Sequence, residues 1–270
     1  MEVKKIIVVG GSSGIGLATA QMLARRGHTV TNISRTACPD AQIQSLQADA
    51  TDEAAFKEAL RTACEKGVDA LVYSAGFSMA APVEHAKADD YRYLFGVNFF
   101  GAVTAVQAVL PIMRERNFGR IVLVGSMGGV LPIAYDAFYS ASKAALAMFC
   151  RELNLETNPY GVYATTVLPG GTATRFTFKR KVYTAEEAGV YAGDLQKSVA
   201  ALTEIEQGGM NAADVADTVL STLNAKNPPL SVAAGTKNKI YQLSEKLLPE
   251  KLSTYMVGCK YNLSGASHLK

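Results

Sequence analysis

A continuous β-branched run, Ile6-Ile7-Val8-Val9, leads straight into Gly10-Gly11-Ser12-Ser13-Gly14-Ile15-Gly16, and a helical pattern follows through Arg26. An apolar run without alternation suits a strand buried on both faces, the condition of a parallel sheet. Glycines in the turn let the backbone approach a ligand closely. The free N–H groups and dipole of the helix N-terminus favour negative charge. A plain tight turn is the alternative reading, but the strand before and the helix after favour a pyrophosphate cradle for a dinucleotide. Its candidate contacts are Gly10, Ser12, Ser13, Gly14 and Ile15.

The same alternation continues along the chain. Strands are predicted over His28–Ile33, Gln44–Ala48, Asp69–Tyr73, Gly119–Gly125, Val162–Leu168 and Leu230–Ala234. Helical stretches are predicted over 53–66, with Thr51-Asp52-Glu53 as its capping start, and over 89–116, 138–157 and 211–223, the last capped by Asn211. No repeat, linker or low-complexity segment divides the 270 residues. The expectation is α/β: a single doubly wound Rossmann-type domain over 1–270, with a seven-stranded parallel sheet and helices on both faces.

In such a fold the site lies at the carboxyl ends of the strands. The residues delivered there are Ser34 and Arg35, Asp49 and Ala50, Ala75 and Gly76, Ser126, and Pro169-Gly170 followed by Thr172 and Thr174. A cation at Arg35, where a carboxylate would hold a ribose 2′-hydroxyl, suits the 2′-phosphate of NADP; a solvated surface arginine is the alternative. Residues 175–209, with aromatic residues and weak periodicity, read evenly as a substrate lid or as surface helical packing. The apolar-striped, basic extension at 236–262 would cap the domain, join subunits or touch a membrane surface peripherally, in that order of preference.

Tyr139-Ser140-Ala141-Ser142-Lys143 opens the predicted helix over 138–157. Tyr139 and Lys143 are one turn apart on a single face. A neighbouring ammonium favours phenolate, so such a couple suits proton exchange with an alcohol or ketone near neutral pH. The same spacing also occurs on ordinary helices. This helix is apolar around more than one face, which suggests a second contact such as another subunit. Asn98 stands in mid-helix, where asparagine is a poor choice unless it has a polar task.

Taken together these residues resemble the short-chain dehydrogenase/reductase family over about residues 3 to 235. The resemblance rests on Gly10, Gly14, Ile15 and Gly16, Asp49, Ala75-Gly76, Asn98, Ser126, Tyr139 with Lys143, and Pro169-Gly170 with Thr172 and Thr174. Two positions depart from the family's common pattern. Val9 replaces a threonine and Ser74 an asparagine, which removes two side chains that usually brace turns.

The resemblance implies Tyr139 as general acid/base, its pKa lowered by Lys143 and an oxidised nicotinamide. It implies Ser126 orienting the substrate oxygen, Lys143 also holding the nicotinamide ribose, and Asn98 fixing a water that relays protons. The expected activity is NADP(H)-dependent interconversion of a secondary alcohol and a ketone, in a homodimer or homotetramer. The expected pocket wall (Met127, Leu131, Pro132, Ile133, Tyr135, Phe176, Phe178) is apolar. It suits a small-molecule hydrophobic substrate such as a steroid, bile acid, retinoid-like aldehyde or sphingoid-like ketone. A generic small-carbonyl or 3-oxoacyl reductase is the alternative. An NADP-sensing regulator or scaffold is the other class, disfavoured by the intact Ser126, Tyr139 and Lys143.

Other classes find little support. The net charge is +3, with no basic run bearing aromatics, so no nucleic-acid partner is expected. Four cysteines and three histidines are scattered without ligand spacing, so no metal is expected. No signal-peptide pattern and no run of roughly 18 apolar residues is apparent, so no membrane span and a cytoplasmic location are expected.

Overall fold

The computed structural model describes residues 4–264 and residue 267, apart from the side chains of residues 245 and 246. The sequence reads as a frayed end over 264–270, and most of that stretch lies outside the described residues. Seven strands form the sheet: β1 (Lys5–Val9), β2 (Thr29–Ser34), β3 (Gln44–Gln47), β4 (Ala70–Tyr73), β5 (Gly119–Val124), β6 (Val162–Leu168) and β7 (Ser231–Ala233). Their order is β7-β6-β5-β4-β1-β2-β3, and every pair is parallel. The expected seven-stranded parallel sheet is therefore what forms.

Both faces of the sheet are covered, which explains the unbroken apolar runs. One face, with Ile7, Val9, Leu71 and Ile121, packs on α2 (Glu53–Cys64), α4 (Gly101–Glu115) and α5 (Ala137–Thr157) through Phe56, Leu60, Val109, Leu146 and Leu153. The alternate residues Ile6, Val8, Val72 and Val122 face α1 (Gly14–Arg25) and α9 (Ala212–Asn224) through Ala20, Leu23, Val215 and Val219. Asp52 caps α2 by accepting the Ala55 N–H, and Asp214 accepts the Asn211 N–H at the start of α9.

The helix expected over 89–116 is interrupted. α3 (Ala88–Phe95) passes into a π-helical turn at Gly96–Phe100 before α4 begins, and Asn98 lies fully buried in that turn. The Gly101 N–H reaches back to Gly96 O, and the Tyr73 hydroxyl donates to Val97 O at 2.5 Å. By length and composition Ala88–Glu115 is apolar enough to cross a membrane, contrary to the sequence expectation. In this fold its apolar residues Leu94, Ala102, Ala105, Val106, Val109 and Met113 are buried.

The segment after β6 is better ordered than its weak periodicity suggests. α6 (Phe176–Lys179) is followed by Lys181–Val182, which pairs with Met79–Ala80. Then come α7 (Ala185–Ala188), capped by a reciprocal Thr184–Glu187 pair, and α8 (Ala192–Gln207). The 175–209 segment rests on the 80–90 segment through Lys87–Glu187, Lys181–Asp90 and the Tyr183 hydroxyl on Asp90. The extension forms α10 (Thr236–Leu247) and α11 (Glu250–Lys260), broken at Pro249.

Candidate active site

Strand order reverses between β1 and β4, and there the glycine turn meets the end of β4. Gly10 has φ +88°, and a Cβ on it would lie 2.6 Å from Ala75 N. At Gly16 an added Cβ would lie 2.2 Å from Gly10 O, so α1 starts hard against the turn. Ser13 precedes α1 without a side-chain cap, leaving first-turn N–H groups for an anion. These positions fit a pyrophosphate: the backbone is bare where a ligand must approach, and the dipole points the right way.

The brace missing at Val9 comes from Asn32, which the sequence reading did not single out. Its Oδ1 accepts the Gly11 N–H at 2.8 Å and the Ser34 hydroxyl at 2.6 Å, while Nδ2 donates to Ser45 Oγ. What marks it is that it is a wholly buried amide in the middle of β2, which only the structure reveals. Ser74 keeps its place by backbone, its N–H on Val9 O at 2.8 Å.

A continuous cleft of about 680 Å³ runs from the glycine turn to the 175–209 segment. Gly10, Ser12, Ser13, Gly14, Ile15, Ser34, Arg35, Asp49, Ala50, Ala75 and Gly76 line one end, and Ser126, Tyr139, Lys143, Pro169, Gly170, Thr172 and Thr174 line it further on. Arg35 is exposed, with Nη1 on the Tyr93 hydroxyl at 3.0 Å. Asp49 Oδ1 accepts both the N–H and the hydroxyl of Thr51.

Tyr139 and Lys143 come together from one face of α5, with Lys143 Nζ 5.8 Å from the phenol ring centroid. Ser126 Oγ accepts the Gly128 N–H at 2.9 Å, which leaves its own proton to donate. Lys143 Nζ donates to Val124 O at 2.9 Å. Asn98 donates to Phe77 O and Ser142 Oγ and accepts the Phe77 N–H. Both its side-chain hydrogens are spent inside the protein, so only a remaining Oδ1 lone pair faces any water.

The protein's own groups do not by themselves lower the Tyr139 pKa. Burial raises the Tyr139 pKa above its ordinary value, a hydrogen bond with Ser126 pulls it back, and the charges of Asp136 and Glu206 add to the rise. Lys143 is the group that moves down, to about 8, because burial penalises its charge. Desolvation acts on both members of the pair.

The pocket wall also differs from expectation. Met127, Leu131, Pro132, Ile133 and Phe176 line the cleft. Phe178 is 75% exposed, and Tyr135 turns to a separate shallow pocket beside Tyr191. Leu202, Ile205 and Glu206 of α8 take their place, together with Asn238, Tyr241, Val257, Lys260 and Tyr261 of the extension. The extension over 236–262 thus contributes wall to one end of the cleft.

A sequence profile of the short chain dehydrogenase family matches residues 4–183. The chain belongs to the short-chain dehydrogenase/reductase family. This short-chain dehydrogenase is 31% identical over 268 residues to the 3-ketodihydrosphingosine reductase of Bacteroides thetaiotaomicron, covering 97% of this chain and 99% of the relative. It is 28% identical to human 17-beta-hydroxysteroid dehydrogenase type 1, covering 90% and 78%. A crystal structure of a short-chain dehydrogenase from Streptomyces avermitilis superposes with TM-score 0.77 at 27% identity, covering 91% and 93%. The chain is thus an oxidoreductase of a family that uses nicotinamide dinucleotides.

Proposed function

We propose that the protein interconverts a long-chain, lipid-like ketone and its secondary alcohol with NADP(H), with a sphingoid-type ketone preferred to a steroid. The observation that carries this reading is the continuous cleft, which joins the phosphate turn, the Ser126–Tyr139 pair and an apolar end walled by α8, α10 and α11. Near-complete mutual coverage with the ketodihydrosphingosine reductase supports the lipid class. Arg35 at the cleft edge supports NADP, since a guanidinium matches a phosphate geometrically.

The cofactor, when bound, supplies the hydride that reaches the carbonyl carbon. Ser126 donates its free O–H to the carbonyl oxygen and fixes its direction. Tyr139 gives its phenolic proton to that oxygen as the negative charge develops, and the alcohol leaves neutral. Lys143, charged below about pH 8, stands beside the resulting phenolate and returns a proton toward it. Asn98 holds the Phe77 loop and α5 in register around these groups.

In this reading the protein works in the cytoplasm as a homodimer or homotetramer. Exposed Phe100 on the π turn and Met148 and Leu155 on α5 form its contact face. The test is turnover of NADPH with long-chain 3-ketones, steroid ketones and short ketones. Consumption with the long chains at the highest kcat/KM is expected. Tight NADPH binding without consumption on any ketone would favour a cofactor sensor instead.

A further inference from the structure

Four polar side chains meet at the lid end of the cleft, and the chemistry above uses none of them. Asp136 stands at the N-cap position of α5, where an aspartate ordinarily accepts a first-turn N–H, yet it makes no cap hydrogen bond. Its carboxylate instead accepts the Ser78 hydroxyl at 2.9 Å. Ser78 Oγ accepts from Arg180 Nε at 3.2 Å, and Arg180 Nη2 donates to Glu206 at 2.5 Å. Asp136 is 1% exposed, and so is the Arg180 side chain.

Each charged member of this chain keeps one buried atom without a partner among the described residues: Asp136 Oδ1, Arg180 Nη1 and Glu206 Oε2. The Met79 N–H lies near enough to favour the Asp136 carboxylate, without completing a hydrogen bond to Oδ1. Buried polar atoms left open are rare in folded proteins. Three in one connected cluster call for a group from outside the chain. Once Asp136 ionises, two carboxylates around one guanidinium leave negative charge in excess, so the group that fits there is cationic and carries N–H donors. Arg180 Nη1 wants an acceptor, which a hydroxyl oxygen provides.

The location fits a substrate head group. Asp136 and Glu206 both line the cleft. Both act electrostatically on the Tyr139 phenol, so the cluster lies beside the reacting atoms. Ile133, Leu202, Ile205 and Val257 give the cleft apolar wall, with the Tyr261 ring facing the cluster and Lys179 and Lys260 also in the lining.

We propose that Asp136 and Glu206, bridged by Arg180, bind a protonated amine carried close to the reacting carbonyl, so that the substrate is a long-chain amino ketone. The assignment rests on the ketone-reductase reading and extends it to the residues that select the substrate. The cluster also ties the lid to the start of α5, and a purely structural latch makes a different prediction.

Steady-state kinetics with NADPH decide between them, using a long-chain 2-amino-3-ketone and the 3-ketone of equal length without the amine. The wild-type protein should favour the amino ketone by tenfold or more in kcat/KM, mostly through KM. In Asp136→Asn and Glu206→Gln that ratio should fall toward one, with NADPH affinity measured on the same samples as a check on folding. Equal use of both ketones by the wild type would overturn the head-group assignment while leaving the reductase reading standing. An unchanged ratio in folded variants, with both substrates losing equally, would also overturn it in favour of the latch. Turnover of neither ketone would overturn the reductase reading and this assignment with it.

Discussion

Asn32, in the middle of β2, accepts the Gly11 N–H at 2.8 Å across a separation of 21 residues. The glycine turn is therefore held by the neighbouring strand and not by its own. Replacing Asn32 with alanine strands the Gly11 N–H and the Ser34 hydroxyl in the interior, at a cost of about 1–3 kcal/mol. The expected outcome is a lower urea midpoint together with a raised KM for NADPH. Unfolding curves and cofactor titration on Asn32→Ala check both.

Gly16→Ala acts at the same turn by contact. The new methyl group would lie 2.2 Å from Gly10 O, a backbone atom that cannot move without opening the cradle. Calorimetric titration should show NADPH affinity lost in a chain that retains its far-ultraviolet circular dichroism.

Tyr139→Phe removes the group that transfers its proton to the substrate oxygen in the proposed chemistry, leaving only the Ser126 hydrogen bond. A loss of roughly a hundredfold to ten-thousandfold in kcat is expected, with NADPH binding retained. A variant with near wild-type kcat would remove Tyr139 from the reaction.

Arg35→Asp tests the cofactor preference. Losing charge-assisted bonds to a phosphate costs about 1.5–3 kcal/mol, roughly a 10- to 150-fold loss in affinity. The loss should fall on NADPH and spare NADH. Equal changes for the two cofactors would place Arg35 outside the phosphate site.

Asp136 has a measurable pH signature. Burial pushes its pKa up to about 7 from an ordinary 3.8, against the Ser78 hydrogen bond, the Arg180 charge and the Met79 N–H, with Glu206 adding to the rise. Between those values the folded chain holds a proton that the unfolded chain releases, so stability falls as pH rises through the window. Tyr139 and Tyr261, the other titratable groups facing the cluster, stay neutral there, since burial raises both. Asp136→Asn should flatten the slope and unfold at higher urea than wild type above pH 7. An unchanged slope in the variant would assign it to another group.

The parts of this site that are legible from sequence are those whose requirements are local. Gly10 and Gly16 answer to sterics within one turn, and Tyr139 and Lys143 announce themselves by helical spacing. Asn32 does not, because its partner is on another strand and nothing in the intervening residues marks the contact. The Asp136–Arg180–Glu206 cluster is equally hidden, since it exists only after the lid folds back over α5. Phe178 looks like pocket wall by composition, yet a short helix turns it to solvent. The phenol of Tyr139 was expected to be acidified because charge proximity can be read from spacing, whereas the opposing desolvation depends on packing that spacing does not reveal.

The π turn at Gly96–Phe100 holds one more residue than a regular coil of the same hydrogen-bond ladder would need. Deleting any one of those five positions would let the ladder close as a regular α-helix while α3 and α4 keep their faces. Asn98 or its register with Phe77 and Ser142 would be lost in an otherwise well-bonded helix. Such a shortened chain would be sound as a scaffold and silent as a catalyst, which makes this spare residue a vulnerable spot that no side-chain scan would find.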